Sequence, residues 1–295
     1  MSRFFAVLAA ITLIVGAVLV RGMLDDDDDA TREGRDRGPV RVVCGSEVQA
    51  ACDALGSAYE VTIEDTATTA AALRTADGDD PGIDVWVAPW PWPEIVDGDR
   101  ERAGLPRLFG NPVTLGRSAL AAIVPESIGP CDWACVGQRA TDDLRVGGRP
   151  LDTGVGVLHL AAFTAGRLGT TTYASNDLDA ATQSFVRGLA DAVDGVPNPV
   201  TRLLQIRASY DVALTHRAEA ETLLAGASED RRAGLEVTYP EPVLSLVAVA
   251  APVGDRSVPD GLGGGLRSTG WDPPSDAPSG LPTAGVLTAL LEVIG

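Results

Sequence analysis

The chain has 295 residues, of which 41 are acidic and 23 are basic, so its formal net charge is −18 at pH 7. A chain of this length can bury the core of one large domain or of two medium-sized ones. So negative a chain repels phosphate backbones, and nucleic acid is therefore not an expected partner.

The N-terminus contains an uncharged apolar run at residues 4–20, with Arg3 before it and Arg21 directly after it. Such a run is just long enough for a helix that spans a bilayer, and the preceding arginine favours a cytoplasmic N-terminus. We therefore predict a signal anchor over residues 1–22, which makes the protein a single-pass membrane protein with an extracytoplasmic body. The alternative is a cleaved signal peptide and a secreted protein, although no Ala-x-Ala-like cleavage site follows the run.

The four cysteines form two close pairs in the sequence, Cys44 with Cys52 and Cys131 with Cys135. Local spacing favours a disulfide within each pair, and such bonds persist in oxidising compartments outside the cytoplasm. A zinc site is the alternative, but neither spacing is the Cys-x-x-Cys of zinc ribbons. The cysteines therefore agree with export.

The first half of the chain alternates strands and helices. Residues 23–39 are charged and lack apolar periodicity, which predicts an acidic stalk. Ser46 is a suitable N-cap for the helix that follows the first strand. The spacing of apolar residues predicts strands at 40–44, 59–63 and 83–88, and helices at 46–55 and 66–75. This order and these lengths are typical of a parallel sheet with right-handed crossovers.

Three of the five tryptophans lie within the stretch 83–93, where an apolar run ends in a loop with three prolines. We expect Trp86 to be core, because it lies inside the predicted strand. Trp90 and Trp92 follow the strand, and ligands of open α/β sheets bind beyond the carboxyl ends of strands. The alternative is that both indoles merely cover a sheet edge. The chain from there to Pro112 is predicted to be irregular.

The second half continues the mixture of strands and helices. A glycine- and proline-rich tail at 258–282 precedes the last helix. Apolar patterning predicts strands at 117–124, 211–215, 235–239 and 242–250, and helices at 138–144, 155–167, 178–193, 201–206, 216–225 and 283–294.

Six short phrases, taken in order, resemble the type 2 periplasmic-binding-protein fold of extracellular solute-binding proteins from Gram-positive bacteria. They are residues 42–46, 84–87, 118–125, 211–215, 238–241 and 270–273. The resemblance implies two α/β lobes, each with a mostly parallel sheet flanked by helices, and a ligand cleft between them. It places lobe 1 at 40–117 with 240–295 returning to it, and lobe 2 at 118–239. Family members are commonly anchored through a lipidated Cys, whereas this chain has an apolar segment instead.

Within that fold, the ends of strands that face the cleft nominate the candidate ligand-binding residues. Two of the positions precede helix N-termini, where backbone N–H groups favour acceptors and anions, and Trp90 offers a stacking surface. The candidates are Gly45, Ser46, Trp90, Ser118, Thr153, Gly154, Thr215 and Tyr239. Each has a structural alternative, such as Ser46 as an N-cap, Gly154 as a turn residue and Tyr239 as hinge core.

The expected function is a membrane-tethered extracytoplasmic solute-binding protein that delivers an unknown small ligand to an ABC-transporter permease or a membrane sensor. The alternative is an envelope module that keeps the fold for structural or protein-interaction purposes without a ligand. No catalytic motif accompanies His159 or His216, so we do not expect an enzyme. We expect His159 to be core, while His216 either reaches the cleft or starts a helix. No cofactor or metal is expected, since the acidic runs lack the spacing of a calcium loop.

Overall fold

The computed structural model describes residues 39–53, 55–78, 80–129, 131–275 and 279–295. The predicted signal anchor and all but the last residue of the predicted stalk lie outside the described residues. Among the residues that the structure does describe, none of the helices has the length and apolar character needed to cross a membrane.

A nine-stranded mixed sheet runs through the described residues, in the order β2-β1-β3-β9-β4-β7-β5-β6, with β8 also paired to β4. Its strands are β1 (Val40–Gly45), β2 (Tyr59–Glu64), β3 (Val85–Pro89), β4 (Val113–Pro125), β5 (Val146–Gly148), β6 (Val193–Gly195), β7 (Val212–His216), β8 (Leu235–Thr238) and β9 (Ser245–Pro252).

The long strand β4 links two halves of this sheet. Its first part, from Val113 to Ala119, pairs with β9, which in turn pairs with β3. Its second part, from Leu120 to Pro125, pairs with β7 and β8. We call the strands on the β9 side the first half-sheet and those on the β7 side the second half-sheet. Parallel pairs occur in both, β1 with β3 in the first and β5 with β6 and β7 in the second.

Helices flank both half-sheets. They are α1 (Thr66–Arg74), α2 (Trp92–Arg102), α3 (Trp133–Asp142), α4 (Gly156–Leu168), α5 (Ala180–Ala192), α6 (Pro199–Gln205), α7 (Arg217–Gly226), α8 (Glu229–Arg232), α9 (Gly264–Ser268) and α10 (Ala284–Ile294). The C-terminal helix α10 packs on α2 and also on α4 and α5, so it touches helices next to both half-sheets.

Several elements differ from the sequence predictions. The region before Pro112, which was predicted to be irregular, contains helix α2. Pro93 is compatible with this helix because it lies in the first turn, where a backbone amide donor is not needed. Strands β5 and β6 have only three residues each and carry glycine, so they show no alternation. The predicted helix at 46–55 is a 3₁₀ helix, Ser46–Ala51, whose N-cap is Gly45; the prediction of Ser46 as N-cap was wrong.

The core and the disulfides confirm other predictions. Trp86 is fully buried in β3, as expected for a strand with both faces covered. The two disulfides are Cys44–Cys52 and Cys131–Cys135. The first of them ties the end of β1 to the end of the 3₁₀ helix Ser46–Ala51, and so restrains the segment that follows the strand.

Candidate functional site

A cavity of about 250 Å³ lies between elements of the two half-sheets; we call it the interlobe cavity. Segments that follow β1, β5 and β7 contribute to it, together with helices α6 and α7 and the chain after α9. Its lining consists of Ser46, Glu47, Gln49, Ala50, Arg149, Asn198, Thr201, His216, Ala218, Glu219, Thr222, Leu223, Thr269 and Trp271.

The position of the cavity follows from the sheet. Ser46 comes directly after β1, Arg149 directly after β5, and His216 is the last residue of β7. In α/β sheets the carboxyl ends of strands lie beside the crevice that receives a ligand. The cavity therefore lies where the fold is expected to bind a solute.

An ion pair joins two sides of the lining. Arg149 Nη2 donates to Glu219 Oε1 at 3.4 Å, and both side chains are less than one-fifth exposed. Thr215 Oγ1 donates to Glu219 Oε2 at 2.7 Å. Burial by itself raises the pKa of the Glu219 carboxyl, but its surroundings, including the charge of Arg149 and the Thr215 hydrogen bond, hold that pKa below its ordinary value. Glu219 is therefore an ionised carboxylate at neutral pH.

Glu47 supplies a second carboxyl group, and this one is incompletely satisfied. It is 7% exposed, and its Oε2 accepts a hydrogen bond from Thr66 Oγ1 at 2.8 Å. Its Oε1 is buried and has no hydrogen-bond partner among the described residues. Burial raises the pKa of the Glu47 carboxyl, although a hydrogen bond from its own backbone N–H, the Thr66 hydrogen bond and the charge of Arg149 partly offset this. A buried oxygen without a donor is uncommon in folded proteins and marks a place to look for a ligand.

His216 is the buried imidazole of the lining. Its Nδ1 lies 3.0 Å from Ser118 Oγ, and the same hydroxyl accepts a hydrogen bond from the Ala218 amide. The ring packs against the indole of Trp271, with their centroids 5.1 Å apart. Burial lowers the pKa of His216 to about 4, so the imidazole is neutral at pH 7. The lining therefore contains an aromatic wall without a positive charge.

Gly154 makes a close contact between segments that are distant in the sequence. Its carbonyl oxygen accepts a hydrogen bond from Trp92 Nε1 at 3.0 Å. A Cβ at this position would lie 2.1 Å from Glu47 Oε1 and 2.9 Å from the Thr66 side chain. Only glycine permits this approach, so Gly154 determines how closely the residues after β5 meet those after β1.

The structure brings five of the eight candidate residues to the interlobe cavity or to the side chains that line it. Ser46 lines the cavity and Gly45 precedes it. Ser118 holds the His216 ring and Thr215 holds the Glu219 carboxylate, while Gly154 contacts Glu47. Ser118 and Thr215 are both fully buried, so they act through their neighbours and not by direct exposure to the cavity.

The other three candidates lie elsewhere. Trp90 lines a separate cavity of about 370 Å³ together with Pro112, Thr114, Arg117, Val247, Val249, Ser275 and Ser279. Tyr239 is 40% exposed and lines a third cavity, beside the Cys131–Cys135 disulfide. Thr153 donates to the Pro150 carbonyl at 2.6 Å, which is turn chemistry. Trp92, not Trp90, is the tryptophan of this stretch that reaches Gly154.

Sequence reasoning missed Glu47, Arg149, Glu219 and Trp271. Arg149 follows a strand of three residues that the sequence does not reveal. Glu47 adjoins the candidate Ser46, and Glu219 lies one turn after the strand that ends at His216. For Glu47 and Glu219, a position next to a predicted strand end was therefore the available signal. His159 is buried, and its Nε2 lies 2.9 Å from the Thr215 carbonyl, as expected for a core histidine.

The interlobe cavity combines several kinds of polar side chain with one aromatic surface. It offers two carboxyl groups, one guanidinium, hydroxyl and amide side chains, and an indole. Within the described part of the chain, no group of three or more His, Cys, Asp or Glu residues is arranged to hold a metal ion.

Comparisons with known proteins give a structural likeness only. No protein-family model matches the chain, and no curated protein matches it significantly. Iron-bound HitA from Pseudomonas aeruginosa is similar with a TM-score of 0.57 at 13% identity, covering 86% of this chain and 97% of that one. A periplasmic thiamin binding protein gives a TM-score of 0.52 at 12% identity, covering 87% and 96%. Apo FutA2 from Synechocystis PCC6803 gives 0.53 at 11%, covering 86% and 97%.

These similarities extend over nearly the whole described part of the chain, and they agree with its division into two half-sheets with a cavity between them. The described residues of this protein therefore have the two-lobe fold of type 2 periplasmic solute-binding proteins.

Proposed function

We propose that this protein is an extracytoplasmic solute-binding protein that captures a small polar ligand in the interlobe cavity. The observation that carries the proposal is the cavity itself, because polar and charged side chains from both half-sheets converge there without filling it. Cavities of this kind, apolar in part and with a few polar groups, are where proteins bind small molecules.

The lobes of this proposal are residues 40–117 with 240–295, and residues 118–239. Ligand that contacts both lobes stabilises their closed arrangement and shifts the population towards it. A transporter permease or a membrane sensor then recognises the closed form. The two disulfides support a location outside the cytoplasm, and residues 4–20 are the proposed membrane tether.

Thermal unfolding of the full chain in a neutral detergent tests the proposal. A solute that binds the native state raises the unfolding midpoint by mass action, by about 3 °C or more at ten times its dissociation constant. The panel comprises sugars, oxyanions, amino acids, short peptides, amines and vitamins, each compared with sodium chloride at equal ionic strength. We expect at least one class to raise the midpoint.

A matched pair of variants locates the binding site. Thr222 is an exposed residue at the rim of the interlobe cavity, and Ser275 is an exposed residue at the rim of the Trp90 cavity. Thr222→Trp fills the first cavity and is expected to abolish the ligand-induced shift. Ser275→Trp fills the second and is expected to leave the shift unchanged. If no solute shifts the midpoint of the parent protein, the binding function is refuted and a ligand-free envelope module becomes the better account.

A further inference from the structure

The ion pair in the lining of the interlobe cavity is compensated within the protein. Arg149 Nη2 donates to Glu219 Oε1 at 3.4 Å, and Thr215 Oγ1 donates to Glu219 Oε2 at 2.7 Å. Both oxygens of the carboxylate are therefore already bonded, and its charge matches that of the guanidinium. His216 is buried and neutral at pH 7. Neither the ion pair nor the imidazole presents an uncompensated charge to a solute.

Glu47 is the remaining acidic residue of the lining, and its carboxyl group is bound up within the protein. Oε2 accepts the hydrogen bond from Thr66 at 2.8 Å. Oε1 has less than 1 Å² of accessible surface, and a Cβ placed on Gly154 would lie 2.1 Å from it. A cation in the cavity therefore finds no free carboxylate oxygen. An anion meets two carboxyl groups and one guanidinium, in a chain of net charge −18 that repels it.

Uncharged polar groups are what the cavity leaves available. Asn198 is the N-cap of α6, where an asparagine side chain usually bonds to the helix backbone. Here its side chain is exposed and makes no capping hydrogen bond, so the amide is available at the cavity. The hydroxyls of Thr201 and Thr222 also belong to the lining, and neither has a hydrogen-bond partner among the described residues.

This lining suits a solute that carries several hydroxyl groups. Amide and hydroxyl side chains both donate and accept, whereas a guanidinium only donates. A solute hydroxyl does both, so it can bond to each kind of group without bringing a charge into the cavity. Ala50, Leu223 and Trp271 offer apolar surface to a carbon skeleton. The cavity of about 250 Å³ is smaller than pockets for drug-sized ligands, which hold about 300–1,000 Å³.

Resting on the proposed binding function, we infer that the solute is an uncharged polyhydroxyl compound of monosaccharide size. Its hydroxyl groups bond to the Asn198 amide, to the Thr201 hydroxyl and to the N–H groups of Arg149 that Glu219 does not use. These contacts come from the second half-sheet, and the apolar surface of Ala50 and Trp271 comes from the first. Ammonium compounds and oxyanions of the same size are disfavoured in this position.

The test uses the full chain in a neutral detergent, with glucose, galactose and mannose as probes. Each hexose is compared with the derivative in which an ammonium group replaces the primary hydroxyl, and with the uronate in which a carboxylate replaces it. All are added at low millimolar concentration, where general stabilisation by excluded sugars is negligible, and at equal ionic strength. We expect at least one hexose to raise the unfolding midpoint, and its two charged derivatives to raise it less.

Two asparagine variants locate the contact. Asn198→Ala removes the unpartnered amide of the lining and is expected to weaken binding of the active hexose by about threefold or more, measured by isothermal titration calorimetry. Asn176→Ala removes an exposed amide that is not part of the cavity lining, and is expected to leave the dissociation constant unchanged. Both side chains are exposed, so both variants are expected to fold.

Each other outcome overturns a defined part of the inference. Charged derivatives that stabilise the protein as well as their hexose contradict the selection for an uncharged solute. Equal dissociation constants for the two variants contradict the contact with Asn198. A midpoint shift by amines, amino acids or oxyanions, with none by an uncharged polyhydroxyl compound, refutes the inferred class and leaves the proposed binding function intact. If neither these probes nor the broad panel shifts the midpoint, the binding function and the inferred class are refuted together.

Discussion

The interlobe cavity and the Trp90 cavity differ in chemistry more than in size. The Trp90 cavity is the larger, about 370 Å³ against about 250 Å³, and its lining includes an indole, two valines and two serines. Arg117 is its one charged residue among those described. The interlobe cavity instead gathers two carboxyl groups, a guanidinium and a buried imidazole from segments far apart in the sequence. We therefore base the proposed binding site on buried charged and polar groups, and not on cavity volume.

The largest expected effect concerns the two tryptophans on either side of Pro91. Trp92 is 1% exposed and bonds to Gly154, whereas Trp90 is half-buried. Trp92→Ala is expected to lower the free energy of unfolding by about 3–5 kcal/mol, because it opens a large cavity in the core. Trp90→Ala is expected to cost about 1 kcal/mol or less. Urea denaturation measures both.

A third variant isolates the contact between the lobes. Trp92→Phe keeps most of the buried ring and removes the hydrogen bond to the Gly154 carbonyl, at a cost of about 1 kcal/mol. If Trp90→Ala proves as damaging as Trp92→Ala, the structural contrast between the two tryptophans is lost.

The second expected effect is a loss of stability at acidic pH that arises beside the interlobe cavity. The folded protein holds the pKa of His216 at about 4, whereas an unfolded histidine titrates near 6.5. Between these values the unfolded chain binds a proton that the folded chain does not, so stability falls as the pH is lowered from 6.5 to 4. For His216 the loss amounts to about 3 kcal/mol by pH 4.

The neighbours of His216 define the control for this experiment. Glu219, Arg149 and Arg217 face the ring, and buried His159 shares its pKa of about 4 and adds a loss of the same sign. The raised pKa of the Glu47 carboxyl has the opposite effect on stability. The stability that this group contributes is lost as the pH rises above the pKa of an unfolded glutamate. Urea denaturation of the parent and of His216→Gln at several pH values is therefore compared by difference. Identical pH slopes for the two proteins contradict a buried neutral His216.

The smallest expected effect compares two threonines. Thr215 is buried and donates to Glu219, whereas Thr114 is half-buried at the Trp90 cavity. Thr215→Val removes a hydrogen bond to a charged group and is expected to cost about 1.5–3 kcal/mol. Thr114→Val is expected to change stability by about 0.5 kcal/mol or less. Equal effects would show that the Thr215 hydroxyl does not support the carboxylate.

The spacing of apolar residues was enough to predict most of the strands and helices. Strand β7 and its following helix were expected at 211–215 and 216–225 and are found at Val212–His216 and Arg217–Gly226. Strands of three residues escape this method, because two or three positions cannot establish a period. Because β5 was not predicted, Arg149, which directly follows it, was not recognised as a candidate.

The candidate site residues were predicted from their positions at strand ends, and the structure brings only some of them together. Strand ends pointed to Ser46, Gly154 and Thr215, which lie in or beside the interlobe cavity. Trp90 was expected to line the same cleft, but a helix begins at Trp92 and the Trp92 indole is turned inward instead. A proline after a strand is compatible with either a loop or the first turn of a helix, so sequence alone does not decide between the two tryptophans.

The most direct test of the central claim is an experimental structure of the protein with a solute that raises its unfolding midpoint. The account predicts that the solute lies in the interlobe cavity, in contact with residues of both half-sheets. A solute bound in the Trp90 cavity, with the interlobe cavity occupied only by water, would contradict it.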